Sequence, residues 1–195
     1  MESLEFKNKL KELKKNNIAI IGHMGAGKSI VAKMIAKKID FQHIDSDYEI
    51  TRFTEKSINK IFQEKGEEYF RNIEKEIVLE LIEKKNVILS LGGGSILSGL
   101  IRNKLKKKSI TLFLDVSLLE LEKRLIKSTN RPLLKNVDLA EKIKELDIAR
   151  RKYYLLSDIT IKNTNSPIDT CKNFIKKFAY FHEKTNINKN KKQKM

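Results

Sequence analysis

The chain has 195 residues, of which 40% are hydrophobic, 2 are proline and 8 are glycine. This length and composition predict one α/β domain with a real core and exclude a disordered or linker-rich protein. The formal net charge of +16 comes from 41 Lys and Arg against 25 Asp and Glu. Because the lysines are spread along the whole chain and form no recognisable binding module, we expect no nucleic-acid partner.

Hydropathy and cysteine content indicate the compartment. We expect no membrane partner, because the sequence contains no run of 18 or more apolar residues. Residues 1–15 lack the apolar centre of a signal peptide, and the single cysteine, Cys171, cannot form an internal disulfide. The sequence therefore predicts a cytoplasmic protein, which we expect to be a monomer.

The first predicted elements are a lysine-rich helix over residues 2–15 and a short strand over Asn17–Ile21. We treat the helix as an N-terminal extension, outside a single domain of residues 16–183. The strand is followed by Gly22-His23-Met24-Gly25-Ala26-Gly27-Lys28-Ser29, which fits the pattern G-x-x-x-x-G-K-[ST] of a phosphate-binding loop. Residues 30–39 then have helical spacing, so the strand, loop and helix stand in the order that this loop requires.

The residue types of this loop suit a nucleoside triphosphate. Glycines let several backbone N–H groups converge, and the helix that follows adds its free N–H groups and positive dipole end. Lys28 is then expected to reach the β- and γ-phosphates, and Ser29 to offer its hydroxyl to Mg²⁺.

A second strand is predicted over Phe41–Ile44, and it ends in Asp45-Ser46-Asp47. Carboxylates at the carboxyl end of a parallel strand lie where α/β proteins place ligands. One aspartate could hold Mg²⁺, and the other could accept a hydrogen bond from a substrate hydroxyl. The alternative is a solvated cap of the next helix, because Asp and Ser favour that position.

Short helical turns over residues 49–65 are expected to end at Gly66, and a longer helix is predicted from there to about Lys84. Arg71 and Glu74 lie one turn apart on one face of it. A guanidinium held by a carboxylate is suited to bind a substrate carboxylate in a bidentate way. The alternative is that Arg71 and Glu74 form an exposed ion pair, as most oppositely charged residues at this helical spacing do.

A third strand over Asn86–Leu91 leads into Gly92-Gly93-Gly94-Ser95, where three glycines would let a ligand approach the backbone closely. Residues 128–138 form a polar segment around Arg131, which predicts a mobile lid. Residues 184–195 are basic and nearly free of apolar residues, so we expect a disordered tail. The other predicted elements are helices over residues 98–108, 117–127, 138–156 and 167–183, and strands over residues 110–114 and 159–161.

Five strands alternating with helices predict an α/β fold, with a parallel sheet covered by helices on both faces. The loops after the first three strands would open at one edge of this sheet. The phosphate-binding loop, the aspartates and the triple glycine are therefore expected to meet there.

The order and spacing of these motifs resemble the shikimate kinase family over roughly residues 16–180. The motifs are Gly22-x-Met24-Gly25-Ala26-Gly27-Lys28-Ser29, Asp45-Ser46-Asp47, Phe70-Arg71-x-x-Glu74, Gly92-Gly93-Gly94, Arg131-Pro132-Leu133-Leu134 and Arg150-x-x-x-Tyr154. The resemblance implies a P-loop kinase fold with strand order 2-3-1-4-5 and a mobile lid. It implies transfer of the ATP γ-phosphate to the 3-hydroxyl of shikimate, in aromatic amino-acid biosynthesis. The alternative is another small-molecule kinase of this fold, such as a gluconate or nucleotide kinase.

The resemblance also implies roles for individual residues, with the substrate region at about residues 45–75. The implied catalytic residues are Lys28, Asp47 and Arg131. The implied ATP-binding residues are Gly25, Ala26, Gly27, Lys28, Ser29, Ile30 and Arg131. The implied shikimate-binding residues are Asp47, Arg71, Gly92, Gly93, Gly94 and Arg150, and the implied Mg²⁺ ligands are Ser29 and Asp45.

One departure from the family pattern concerns the second arginine. The family often has R-x-P-x-Y, and here Lys152 stands at the proline position. The spacing from Tyr154 to Asp158 is one residue short of the family pattern. Counting from the helix selects Arg150, whereas counting back from the next strand selects Ala149.

Overall fold

A parallel sheet of five strands carries the fold. In the computed structural model, which describes residues 3–126, 138–163 and 166–192 and side chains as far as residue 189, the strand order is β2-β3-β1-β4-β5. This confirms the predicted topology. The strands are β1 (Asn17–Ile21), β2 (Gln42–Asp45), β3 (Val87–Ser90), β4 (Ser109–Asp115) and β5 (Ile159–Lys162).

Helices cover both faces of the sheet, as predicted. The helices of the described residues are α1 (Ser3–Glu12), α2 (Lys28–Ile39), α3 (Ser46–Thr54), α4 (Ile58–Leu81), α5 (Gly99–Lys108), α6 (Leu118–Ile126), α7 (Leu139–Tyr154) and α8 (Pro167–Lys192), with a short 3₁₀ turn at Ser95–Leu97. None of these helices is long and apolar enough to span a membrane.

The core follows from the alternation of side chains along each buried strand. In β1, Ile18 and Ile20 point to a cluster that includes residues of α2 and α8, whereas Ala19 and Ile21 point to a second cluster with residues of α4, α5 and α7. Successive residues of a strand face opposite sides, so a sheet covered twice needs apolar residues at every position. This is why the first strand was recognisable as a continuous apolar run.

The N-terminal helix is part of the core and is not a separate extension. Phe6 of α1 is fully buried and stacks on Phe178 of α8, with ring centroids 4.2 Å apart. Leu10 and Leu13 belong to the same cluster. The helix therefore contributes to the domain that was predicted to begin at residue 16.

The prediction of a disordered tail is wrong for residues 184–192, which continue α8. The side chain of Asn186 donates to Glu12 Oε2 over 3.2 Å, and Lys189 Nζ donates to the Glu12 carbonyl over 2.9 Å. Polar side chains hold these last turns against α1, so their low apolar content was a misleading signal. Residues 193–195 lie outside the described residues.

The helices after β2 bring the substrate region together. Asp45 ends β2 and α3 begins at the next residue, while α4 is interrupted at Gly66, which has φ 80° and ψ 176°. This confirms the predicted break. Ile50, Ile61 and Phe70 form a small core beneath α3 and α4, which holds the two helices side by side over the end of β2.

Candidate active site

A cavity of about 380 Å³ opens where β1, β2 and β3 end at their carboxyl side. Most predicted site residues of the described segments line it, namely Gly25, Gly27, Lys28, Ser29, Ile30, Asp45, Asp47, Arg71, Gly92, Gly93, Gly94 and Arg150. Ala26, which belongs to the phosphate-binding loop, is fully buried and does not line the cavity. Arg131 and nearly all of the predicted lid lie outside the described residues, so both stay predictions.

The phosphate-binding loop has the expected geometry. Gly27 precedes the first residue of α2 with φ 85°, a left-handed conformation that glycine adopts without strain. The turn places the amino end of α2 at the cavity, where free N–H groups and the helix dipole favour an anion. Lys28 Nζ donates to the carbonyls of Gly22 over 2.9 Å and of His23 over 2.8 Å, which hold its charge across the loop.

Asp45 caps α3 and also contacts the phosphate-binding loop, while its role toward Mg²⁺ stays a prediction. Its Oδ1 accepts hydrogen bonds from the backbone N–H groups of Asp47 and Tyr48, at 3.0 and 3.4 Å, and so caps α3. Its Oδ2 accepts from Ser29 Oγ over 2.6 Å and from Ser90 Oγ over 2.8 Å. Burial alone would raise the pKa of Asp45, but these hydrogen bonds outweigh it and lower the pKa below its usual value.

The Ser29–Asp45 pair fits Mg²⁺. Both side chains offer oxygen, the ligand type that Mg²⁺ prefers. The Ser29 hydroxyl donates its hydrogen bond to Asp45, so the lone pairs of Ser29 Oγ stay available for a metal ion. Mg²⁺ in nucleotide sites takes one or two protein ligands and completes its shell with phosphate oxygens and water. A hydroxyl and a carboxylate beside the phosphate-binding loop satisfy that requirement.

The guanidinium of Arg71 is held by two carboxylates, those of Glu67 and Glu74. Nε and Nη2 both donate to Glu67 Oε1, over 3.1 and 2.9 Å, and Nη1 donates to Glu74 Oε2 over 2.6 Å. Burial disfavours its charge, but Glu74 and Glu67 outweigh this and raise the pKa of Arg71. Of its five N–H groups, one on Nη1 and one on Nη2 have no partner among the described residues.

The triple glycine allows close approach to these charged groups. A Cβ on Gly94 would lie only 2.5 Å from Arg71 Cζ, and a Cβ on Gly92 would lie 2.7 Å from Asp47 Oδ1. Glu74, which holds Arg71, is 2% exposed and accepts a second hydrogen bond from Ser95 Oγ over 2.7 Å. A side chain at Gly94 would therefore displace the Arg71 guanidinium from its present position.

Of the two helix positions that the spacing left open, the structure places Arg150 in the cavity and not Ala149. Arg150 is 2% exposed and lines the cavity, whereas Ala149 is exposed on the outside of α7. Its Nη1 lies 3.4 Å from the place that a Cβ on Gly93 would occupy, and its buried Nε has no hydrogen-bond partner among the described residues. One turn later, Tyr154 donates its hydroxyl to the Gly93 carbonyl over 2.6 Å, and burial raises the pKa of this tyrosine.

Three residues that support the phosphate-binding loop were missed from the sequence. Asn163 Nδ2 donates to the Ala26 carbonyl over 2.6 Å, and Arg124 Nη1 donates to the Gly25 carbonyl over 3.4 Å. The imidazole of His23 lies 2.8 Å from Asp147 Oδ1. Each contact joins the loop to a distant element, and a single polar residue far along the chain carries no motif that would reveal it.

Comparisons with known proteins decide the family. The model of the family described as "Shikimate kinase" matches residues 24–179 of this chain. The chain belongs to the shikimate kinase family. It is therefore an ATP-dependent kinase. The predicted family is confirmed.

Several relatives carry the shikimate kinase name. One from Rippkaea orientalis is 41% identical over 145 residues, which cover 74% of this chain and 77% of that protein. Another from Buchnera aphidicola subsp. Baizongia pistaciae is 39% identical over 160 residues, which cover 79% of this chain and 90% of that protein.

Solved structures agree with this shikimate kinase fold. A shikimate kinase from Acinetobacter baumannii, solved in complex with shikimate, superposes with a TM-score of 0.84 at 29% identity, covering 91% of this chain and 97% of that one. A gluconokinase from Sinorhizobium meliloti superposes with a TM-score of 0.56 at 16% identity, a likeness of fold alone.

Proposed function

We propose that this protein transfers the γ-phosphate of ATP to the 3-hydroxyl of shikimate and gives shikimate 3-phosphate for aromatic amino-acid biosynthesis. The observation that carries the proposal is the convergence of two guanidinium groups, Arg71 from α4 and Arg150 from α7, on the cavity that the phosphate-binding loop also lines. A half-buried and a buried cation that line the same cavity match an anionic substrate such as a carboxylate.

Shikimate binding would use both arginines through its carboxylate. Arg71 keeps one N–H on Nη1 and one on Nη2 beyond its contacts with Glu67 and Glu74, and Arg150 lines the same cavity with a guanidinium whose Nε has no partner among the described residues. Asp47 lies beside Gly92 in the lining of the cavity and would accept hydrogen bonds from the ring hydroxyls. The backbones of Gly93 and Gly94 complete the contact surface for the ring.

The reaction would be a direct displacement. The shikimate 3-oxygen forms a bond to the γ-phosphorus while the bond from that phosphorus to the β,γ-bridging oxygen breaks, so ADP leaves. The carboxylate of Asp47 would accept the hydroxyl proton as the oxygen attacks. Catalysis of this kind depends on positioning and charge stabilisation and needs no covalent intermediate on the protein.

The nucleotide side would use the phosphate-binding loop from Gly25 to Ile30. Lys28, at the amino end of α2, would stabilise the charge that develops on the transferring group, together with Arg131 from the proposed lid. Ser29 and Asp45 would hold Mg²⁺, which neutralises phosphate charge when it is bound.

A substrate panel tests the proposal. ATP consumption is measured with shikimate, gluconate and nucleoside monophosphates as acceptors, each over a range of concentrations. We expect turnover that depends on shikimate and is at least about 10²-fold slower with the others. Gluconate carries a carboxylate but lacks the rigid ring that would place one hydroxyl beside Asp47, and a nucleoside monophosphate has no carboxylate for the arginines. Equal turnover with gluconate, or no turnover with shikimate, would refute the assignment.

The protein is also proposed to act as a cytoplasmic monomer. One chain supplies the phosphate-binding loop, the aspartates and both arginines of the cavity, so the site needs no residue from a second copy. Light scattering at assay concentration is expected to give the mass of one chain, and the mass of a dimer would contradict the proposal.

A further inference from the structure

His23 is a buried histidine inside the phosphate-binding loop, at a position where the loop pattern demands no particular residue. Its side chain is 5% exposed, and Nε2 lies 2.8 Å from Oδ1 of Asp147, whose side chain is 14% exposed. The edge of the imidazole also packs against the ring of Tyr154, with centroids 5.0 Å apart and planes at 79°. The loop is thus tied to α7 by one hydrogen bond and one aromatic contact.

This contact bears directly on Arg150. Asp147 and Arg150 lie three residues apart on α7, so they occupy the same turn of the helix. Farther along, the Tyr154 hydroxyl fixes α7 to the Gly93 carbonyl. The turn that carries Arg150 therefore lies between one anchor on the phosphate-binding loop and one on the triple glycine.

The backbone of His23 faces the other substrate. Its carbonyl accepts one of the hydrogen bonds that hold Lys28 Nζ, over 2.8 Å. One residue therefore contacts the lysine of the nucleotide site through its main chain and the helix of the second arginine through its side chain.

We propose that the His23–Asp147 hydrogen bond is a positioning contact that holds Arg150 in the carboxylate subsite. The proposal rests on the proposed function, since it assumes that Arg150 binds the substrate carboxylate. His23 and Asp147 are positioning residues, because neither lines the cavity.

The protonation state suits this role. A carboxylate can only accept a hydrogen bond, so Nε2 of His23 carries a proton. Burial lowers the pKa of His23, the Asp147 carboxylate opposes that shift, and the charges of Arg150 and Lys28 add to it, so the neutral imidazole is favoured. Asp147 also forms an ion pair with Arg151, whose Nη1 lies 3.5 Å from Asp147 Oδ1. Arg151 forms a second ion pair with Asp115, with 3.2 Å between Nη2 and Oδ1. Loss of the imidazole would leave Asp147 with Arg151 as its partner, so we expect such variants to fold.

Four variants test the proposal. His23→Leu and Asp147→Ala each remove the hydrogen bond, and the double variant that combines them removes no further contact between the two residues. His23→Gln keeps an N–H donor on the side chain. We expect the KM for shikimate to rise about tenfold in each single variant, the equivalent of about 1.4 kcal/mol. The double variant should show about the same rise rather than the product of two, because the residues act through one contact.

The split between kinetic constants separates positioning from a structural role. The KM for ATP and kcat should change by less than about threefold, because Arg150 recognises the carboxylate and not the transferring group. His23→Gln should recover most of the wild-type KM for shikimate. A role in stability alone would lower the melting temperature and leave the KM for shikimate unchanged, and that result would overturn the proposal.

A control on the same helix guards against general effects on α7. Glu145→Gln changes an exposed residue whose partner is Lys142, and it should leave the KM for shikimate unchanged. If His23→Leu does not fold, Asp147→Ala serves as the test in its place. A wild-type KM for shikimate in Asp147→Ala would refute the proposal. Wild-type protein that consumes no ATP with shikimate would instead refute the proposed function, so the two failures are distinguishable.

Discussion

Arg71→Lys is the substitution that tests the substrate side of the site most sharply. It keeps a positive charge on α4 but removes the planar guanidinium, whose Nη1 and Nη2 each keep one N–H beyond their contacts with Glu74 and Glu67. A hydrogen bond between charged groups contributes about 1.5–3 kcal/mol. Loss of one such bond predicts a rise in the KM for shikimate of about 10- to 150-fold, at 1.4 kcal/mol per factor of ten.

The fold should survive this change. The Glu74 side chain is 3% exposed, and the lysine ammonium can still pair with it, while Ser95 Oγ keeps its hydrogen bond to the other oxygen. No buried carboxylate is therefore left without a cation, which is the situation that destabilises a protein most. We expect a melting temperature close to that of the wild type.

The assay is steady-state kinetics with each substrate varied at saturation of the other. Arg52→Lys on α3 is the matched control, because Arg52 pairs with Glu49 and its side chain is 69% exposed. For Arg71→Lys we expect a large rise in the KM for shikimate and little change in the KM for ATP. For Arg52→Lys we expect both KM values to equal those of the wild type. Equal rises for both substrates, or none, would refute the assigned role of Arg71.

The remaining predictions concern the nucleotide side, the glycines, the last helix and pH. Lys28→Ala should stay folded by circular dichroism and lose about 10²–10³-fold in kcat, and near-normal turnover would contradict its role. Gly94→Ala, at φ −88°, should raise the KM for shikimate by displacing the nearby guanidinium, whereas Gly99→Ala, with its nearest contact at 3.5 Å, should not. Deletion of residues 184–195 should lower the melting temperature by roughly 2–4 °C for each 1 kcal/mol of lost contact and leave kinetics unchanged, and an unchanged melting temperature would contradict the packing of α8. Since the pKa of His23 is lowered below its ordinary 6.5, its stabilising effect should be complete above that pH and be lost on acidification, so wild type should lose more unfolding free energy than His23→Gln between about pH 7 and pH 5.

Local patterns predicted the parts of the protein whose causes are local. The apolar run of β1 and the glycine loop after it follow from contiguous residues, and the structure has both where the sequence placed them. Asp45 shows the limit of such reasoning. The sequence offered a helix cap and a Mg²⁺ ligand as alternatives. Asp45 uses Oδ1 for the cap and Oδ2 for Ser29, so the cap does not exclude the second role, which stays a prediction.

Long-range contacts between single polar residues escaped prediction. His23 and Asp147 are 124 positions apart in the chain, and nothing in either neighbourhood indicates the other. The same holds for Glu12 and the last turns of α8, where composition predicted disorder although specific hydrogen bonds hold the helix. Such pairings depend on the assembled fold, so only the structure reveals them.

The chemical identity of the product decides whether this protein phosphorylates the 3-hydroxyl of shikimate. Wild-type protein is incubated with ATP, Mg²⁺ and shikimate, and the products are separated and assigned by phosphorus and proton magnetic resonance, with Lys28→Ala as the inactive control. The account predicts one mole of ADP and one mole of shikimate 3-phosphate for each mole of ATP consumed. Release of free phosphate without a phosphorylated ring, or a phosphate on another hydroxyl, would contradict it.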